Sequence, residues 1–365
     1  MNKEDNGLYI HIPFCASKCG YCDFLSYDDK QKVQAAYKDA LIRELSHCTS
    51  FVDTIYIGGG TPTIWPAPFL SELLNALPHA SEITCEANPG TLTMPKISAL
   101  AKGGVSRISL GLQAWQPHLL KAIGRRSSTT AFLKNFHALR SAGFNNINVD
   151  IMFALPGQSL ADWEETLKNV AVLEPEHISA YALTPTDMDE ETDRLMYHNC
   201  KAFLRKRGYK QYELSNFCKP GFECKHNLRY WTCRPYTGYG LGAHSFDGKM
   251  RWNNTTDLEK YINIFHSKPH ATAAHRDKCK SYLYSKDSSE NIIKAETKLE
   301  FMIMGLRMTE GVLLNDDLWE AYSLWITKMI NDGLLEKRQE ENGRRIALTD
   351  RGMDLANLVM AGFLE

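Results

Sequence analysis

From residue 8 to about residue 217 the chain alternates short apolar runs with longer amphipathic stretches. The runs Leu8–Ile12, Thr54–Ile57, Glu82–Glu86, Arg107–Gly111, Asn146–Phe153 and His177–Ala182 have strand length. Between them, Lys32–His47, Phe69–Ala76, Met94–Lys102, Thr129–Ala142 and Leu160–Leu173 read as helices. Regular strand–helix alternation predicts a parallel sheet, because parallel neighbours need a crossover between them. Six such units favour an α/β fold built as an open or closed β/α barrel over a doubly wound sheet. Ligand sites in such barrels gather at the C-terminal ends of the strands.

Beyond residue 217 the pattern changes. Residues 218–246 are rich in glycine, aromatic and polar side chains and read as a functional loop region, so the barrel and its glycine-rich extension are assigned to 1–245. A connecting segment follows over 246–294, with a polar stretch at Ala271–Asn291. From 295 to 365 a second domain is expected. Leu299, Met302, Ile303 and Leu306 fall at helical spacing, and Leu334–Arg338 and Arg344–Leu348 flank an Asn342–Gly343 pair, a hairpin signal. Helices followed by a hairpin predict a winged-helix-like module. Its 8 Lys and Arg against 13 Asp and Glu argue against DNA binding and for a scaffolding or substrate-covering role.

Composition narrows the class. A net charge of −1 gives no global attraction to nucleic acid or anionic membranes. The N-terminal MNKEDNGLYIHIPFC lacks the basic stretch and apolar run of a secretory signal, and no apolar segment approaches the ~18 residues of a membrane span. The expected location is cytoplasmic. There thiols stay reduced, so clustered cysteines point to metal or catalysis rather than disulfides. Of ten cysteines only Cys15, Cys19 and Cys22 are clustered; the others, Cys48, Cys85, Cys200, Cys218, Cys224, Cys233 and Cys279, are scattered and read as buried or incidental thiols.

The cluster lies in HIPFCASKCGYCDF, directly after the first strand, with spacing C-x3-C-x2-C. Tetrahedral zinc wants four ligands, and no fourth Cys or His stands at a matching local distance; a zinc site completed from afar is the alternative. A 4Fe–4S cube takes one thiolate per iron, so three thiolates leave one iron open. The amine and carboxylate of a methionine-type ligand can chelate that iron, and an electron from the reduced cluster can cleave the adjacent sulfonium bond.

With these residues the chain resembles the radical S-adenosylmethionine (SAM) superfamily, and within it the coproporphyrinogen dehydrogenase-like branch (the HemN/HemW group). The resemblance runs from Tyr9 to the C-terminal module and implies the radical SAM partial (β/α)6-type barrel, a 4Fe–4S cluster on Cys15, Cys19 and Cys22, and bound SAM. Gly58–Thr63 (GGGTPT) follows a strand and is neither a Walker loop nor a dinucleotide fingerprint. By the resemblance Gly59, Gly60 and Thr61 contact the methionyl part of SAM. Glu86, Gln113 and Asp150 lie in or at the ends of successive apolar strands, where polar side chains usually face a barrel's ligand; helix capping is the other reading. The resemblance assigns Glu86, Gln113, Arg125 and Asp150 to SAM, with Arg126 a neighbouring alternative to Arg125. Tyr9, the Tyr21 backbone and Ala182 complete the expected pocket.

Within the branch, the decarboxylating dehydrogenases carry a further cysteine two positions after the third ligand. Here that position is Phe24. The CDF form, together with His226–Asn227–Leu228–Arg229–Tyr230–Trp231, resembles the heme chaperones of the branch instead. Imidazole is a good axial ligand and aromatic rings pack on porphyrins, so His226 is the expected heme ligand. Cys224 is a rival, and His244 either lines the site or is a core histidine. Tyr230 and Trp231 equally suit a loop anchored on the barrel. The resemblance implies heme as cargo, heme-accepting respiratory proteins as partners, an electron donor for the cluster, and membrane contact only through acceptors. The competing function is an oxygen-independent coproporphyrinogen III oxidase.

Overall fold

Each expected apolar run forms a strand: β1 (Gly7–Ile12), β2 (Thr54–Gly59), β3 (Glu82–Ala87), β4 (Arg107–Gln113), β5 (Ile147–Phe153) and β6 (His177–Ala182). The structure, a computed structural model, describes residues 6–46, 48, 52–184, 186, 188–267, 289–340 and 343–364. The six strands lie side by side in chain order and every neighbouring pair is parallel. Right-handed crossovers taken always in one direction put the connecting helices on one face, so the other face curls inward. Among the described residues the sheet runs as an open order whose ends do not pair with each other, as expected of a partial barrel.

The helices α1 (Gln34–Leu45), α2 (Ala67–Asn75), α3 (Met94–Lys102), α5 (Thr129–Ser141) and α6 (Leu160–Val172) match the expected stretches to within two residues at each end; a short α4 (Pro117–Ala122) precedes α5. Local chemistry sets the starts. Ser128 accepts from the Ala131 N–H, and Ser159 forms a reciprocal capping box with Asp162. A long helix after β6, α7 (Glu190–Lys206), has no counterpart among the expected helices. Its buried stripe is only Met196, Cys200 and Leu204, one residue per turn in a polar background.

Two expectations are corrected. Residues 218–246 are not mainly loop. After β7 (Lys210–Gln211) and β8 (Asn216–Cys218), they hold α8 (Lys225–Trp231), β9 (Tyr236–Tyr239) and β10 (His244–Phe246). Strand β9 pairs in parallel with β1, and a Cβ on Gly238 would stand 2.3 Å from the His244 carbonyl oxygen, so this glycine-bearing strand has little apolar pattern to betray it. Nor is 246–294 a mere connection. It supplies β11 (Met250–Asn254), α9 (Leu258–Ser267) and β12 (Ser289–Lys294), and both strands extend the sheet past β10. The buried Glu44 carboxylate binds these parts to α1, accepting from the Gly240 N–H (2.8 Å), Asn254 Nδ2 (2.7 Å) and Tyr261 Oη (2.6 Å). Residues 271–288 of the expected polar stretch, with Cys279, lie outside the described residues.

The C-terminal part runs α10 (Thr297–Leu306), β13 (Val312–Leu314), α11 (Asp316–Asn331), β14 (Leu335–Glu340), β15 (Gly343–Leu348), α12 (Asp350–Asp354) and α13 (Ala356–Ala361). The expected hairpin is present, with Glu340 paired to Gly343; Asn342 lies outside the described residues. Met302, Leu306, Ile326, Met329, Ile346 and Val359 form a second core. Arg251 of β11 grips Glu300 of α10 through both carboxylate oxygens, and Arg307 reaches the buried Glu213 at 3.1 Å. Among the described residues no helix is long and apolar enough to cross a membrane.

Trp163 is fully buried where α6, β5 and α7 meet. Its indole N–H donates to the Met196 carbonyl at 2.8 Å, and its ring lies 5.4 Å from that of Phe153. Trp163→Ala is expected to cost about 3–5 kcal/mol, read as a lowered denaturant midpoint.

Candidate functional site

The C-terminal ends of β1 and β2 are clamped together. Past β1 the chain makes a bridge between Phe14 and Tyr27, and the Cys15 N–H donates to the Tyr27 carbonyl at 2.9 Å. From β2, Gly60 N–H donates to the Ile12 carbonyl (2.9 Å) and Thr61 N–H to that of Phe14 (2.8 Å). A Cβ on Gly60 would lie 2.6 Å from the Phe14 oxygen, so only glycine lets the two backbones approach this closely. The clamp brings the Thr61 hydroxyl to the Cys15 thiol, Oγ1 to Sγ 3.7 Å.

Beside the clamp a cavity of about 500 Å³ opens within the barrel. Tyr21, Cys22, Gly59, Gly60, Thr61, Glu86, Gln113, Arg125, Asp150 and Ala182 all line it, drawn from the strands β2 to β6, the loops after β1 and β2, and the turn between α4 and α5. A register shift at the end of β4 and a positive φ of 70° at Gln113 turn that side chain inward. Its Oε1 accepts from Arg125 Nη2 at 2.8 Å, and the same nitrogen donates to the Gly111 carbonyl (2.9 Å) and Asn88 Oδ1 (2.8 Å). Arg125 Nη1 stands 3.9 Å from Cys19 Sγ. Arg126 is exposed, and of the two arginines Arg125 lines the cavity.

Asp150 is held on both oxygens. Oδ1 accepts from Asn148 (2.7 Å) and Tyr181 (2.7 Å), Oδ2 from Ser109 (3.0 Å). A carboxylate has about four lone-pair sites, so one on Oδ2 is left for a ligand hydroxyl. Glu86 accepts from the Tyr56 hydroxyl at 2.8 Å, and burial pushes its carboxyl up to about 7, with Asp150 adding repulsion.

These residues suit a cationic, hydroxyl-bearing ligand, as SAM is, beside a thiolate-bound cluster. Two donors already face sulfur, and among the described residues the buried Arg125 Nε, beside the cavity, has no hydrogen-bond partner. Burial raises the Cys15 and Cys22 thiols, while the Thr61 hydroxyl at Cys15 and the Phe24 N–H at Cys22 pull the other way. Among the described residues no group of three or more His, Cys, Asp or Glu is gathered as the ligand set of a metal ion. A cube takes one thiolate on each of three separate irons, a wider spacing than a single ion demands.

Other expected residues lie elsewhere. Tyr9 stands behind Tyr56, ring centroids 6.3 Å apart, with its hydroxyl 2.9 Å from His11 Nδ1. His226 requires correction as a ligand. It is fully buried, with Nδ1 2.8 Å from Thr54 Oγ1 and Nε2 2.9 Å from the Tyr230 hydroxyl, so neither ring nitrogen is free for iron. Burial holds its pKa down at about 3. Thr54 and Glu82 begin β2 and β3, and Glu82 accepts the Lys225 and His226 N–H groups. Helix α8 therefore plugs the barrel at the end opposite the cysteine loop. Cys224 is buried there, its thiol 3.7 Å from Glu82 and raised to about 11 by burial. His244 is exposed on β10. Sequence reasoning missed Tyr56, Asn88, Ser109, Asn148 and Tyr181; Asn88 alone carried a usable signal, as a polar residue just past an apolar strand.

A parallel partial barrel with a cysteine loop after its first strand and a glycine turn after its second defines a radical SAM protein, and the radical SAM superfamily model matches residues 9–170. That membership implies a 4Fe–4S cluster and SAM. The HemN C-terminal domain model matches residues 294–355. Proteins named heme chaperone HemW from Lactococcus lactis and Bacillus subtilis are each 33% identical to the chain, covering 100% and 98% of it and 98% of their own lengths. The chain belongs to the HemW family. The solved structure of the coproporphyrinogen III oxidase HemN from Escherichia coli shares the fold, with a TM-score of 0.80 over 99% of this chain and 90% of that one at 21% identity.

Glu86 gives a pH signature for the cofactor-free protein. Below its ordinary value of 4.5 both folded and unfolded states hold the proton; between 4.5 and about 7 only the folded state does. Stability is therefore expected to fall as pH rises through that window, by about 3 kcal/mol, and to level off above it. Glu86→Gln should flatten this step in denaturant titrations at pH 4.5 and 7.5.

Proposed function

We propose that the chain is a heme chaperone that binds a 4Fe–4S cluster through Cys15, Cys19 and Cys22, holds SAM in the barrel cavity, and passes heme to heme-accepting respiratory proteins. The full-length match to proteins named heme chaperone HemW carries this reading. The absence of a cysteine at Phe24 supports it against the oxidase alternative, and the cavity chemistry supports the cofactor assignment.

The cluster and SAM, when bound, supply one-electron chemistry at a sulfonium centre, with electrons from a separate donor. The chain's own residues bind and orient. Gly59, Gly60 and Thr61 offer backbone and hydroxyl groups to the amino acid part, Glu86 offers a carboxylate to a cationic ligand, and Asp150 offers its remaining lone pair to a ribose hydroxyl. Arg125 holds Gln113 and Asn88 in place around them. The expected setting is the cytoplasm, where the three thiols stay reduced.

Anaerobic reconstitution of the full chain tests the reading. About four irons per chain are expected, and their loss in Cys15→Ala, with heme taken up by the loaded protein and no conversion of coproporphyrinogen III when SAM and reductant are present. Conversion to protoporphyrinogen would make it the oxidase. Failure to take up heme would end the chaperone reading.

The placement of His226 generates a separate expectation. With both its nitrogens engaged in the barrel plug, a folded His226→Asn variant should lose stability but keep heme. Heme loss at unchanged melting temperature would return the ligand role to His226.

A further inference from the structure

Two of the expected cluster thiols receive a hydrogen-bond donor, and both donors meet at one side chain. Thr61 Oγ1 lies 3.7 Å from Cys15 Sγ and Arg125 Nη1 3.9 Å from Cys19 Sγ. Asn88 stands between them, its Nδ2 2.7 Å from Thr61 Oγ1 and its Oδ1 2.8 Å from Arg125 Nη2.

The polarity of this arc is forced. A guanidinium only donates, so the oxygen of the Asn88 amide must face Arg125 and its NH2 must face Thr61. Thr61 then accepts from Asn88, and its single hydroxyl proton is left for Cys15. The amide cannot turn over without setting two donors against each other. Its backbone is pinned as well. The Thr91 N–H and hydroxyl both donate to the Asn88 carbonyl, at 3.1 and 2.8 Å, and Lys96 Nζ donates to the carbonyls of Thr63 (2.6 Å) and Thr91 (2.8 Å).

We infer that Asn88 is a positioning residue for the cluster, aiming the Thr61 hydroxyl at Cys15 and the Arg125 guanidinium at Cys19 and thereby raising the cluster's reduction potential. The inference rests on the proposed ligation by these cysteines. Hydrogen bonds to cluster sulfur favour the reduced, more negative form, which is the physical link from the amide to the potential. Asn88 needs no contact with iron or SAM for this; it acts through its two neighbours.

The test is a spectroscopic redox titration of the anaerobically reconstituted full chain without SAM. Asn88→Ala removes both polar contacts and adds no charge. It is expected to load iron and sulfide to the wild-type level and to show a more negative midpoint potential. Thr61→Val, which strips the donor from Cys15, should shift the midpoint in the same direction by a smaller amount, and Thr61→Ser should restore it. If Asn88→Ala does not fold, Asn88→Ser, uncharged and too short to span Thr61 and Arg125, takes its place and should shift the midpoint in the same direction. A wild-type midpoint in a fully loaded Asn88 variant, or equal midpoints for Thr61→Ser and Thr61→Val, overturns the inference. Wild-type protein that acquires no cluster overturns the cofactor assignment instead, so the two failures are distinct.

Discussion

The backbone contact between the turn after β2 and the loop after β1 is the constraint on which the site depends. Two main-chain hydrogen bonds, from Gly60 and Thr61 to the carbonyls of Ile12 and Phe14, hold the cysteine loop against the barrel rim. The approach is too close for any side chain at Gly60. Because parallel strands all point the same way, this contact brings the loop over the same rim where Glu86, Gln113 and Ala182 emerge. Thr61 then faces sulfur on one side and Asn88 on the other, so the position of one glycine propagates to the thiols, the arginine and the cavity wall.

The opposite end of the barrel answers a different need. Thr54 and Glu82 are buried at that end, and an apolar plug would leave both without their helix partners. Helix α8 offers backbone N–H groups to Glu82 and an imidazole to Thr54, and its Arg229 pairs with Asp53 at 2.9 Å. Trp231, at the end of the same helix, lies under the guanidinium of Arg307 at 4.3 Å, which ties the plug to the C-terminal domain. The HNLRYW stretch thus performs a structural task in which its histidine, tyrosine and tryptophan are all engaged.

Charge is used locally rather than globally. The chain as a whole is nearly neutral, yet the cavity gathers Glu86 and Asp150 with Arg125 in its wall. A carboxyl held near neutrality by burial is poised to ionise when a cation arrives, since an opposite charge favours the ionised form. Tyr56 keeps that carboxyl oriented meanwhile.

The sequence by itself determined the strands and most helices of the barrel, since burial on both faces writes a plain apolar run and burial on one face writes a helical stripe. It also determined the cysteine spacing, and of the ten residues expected around SAM nine, Tyr21 among them, line one cavity; Tyr9 alone stands one layer back. What the chain could not write down is partnership across long separations. Whether His226 met iron or Thr54, 172 residues away, depended on which end of the barrel α8 closes. Whether Arg125 or Arg126 faced the cavity depended on the turn between α4 and α5. The strands β9 to β12 stayed hidden because their stability comes from pairing onto an existing sheet edge rather than from an apolar pattern of their own. Those choices belong to the tertiary structure, because a hydrogen bond is decided by where its second partner lies.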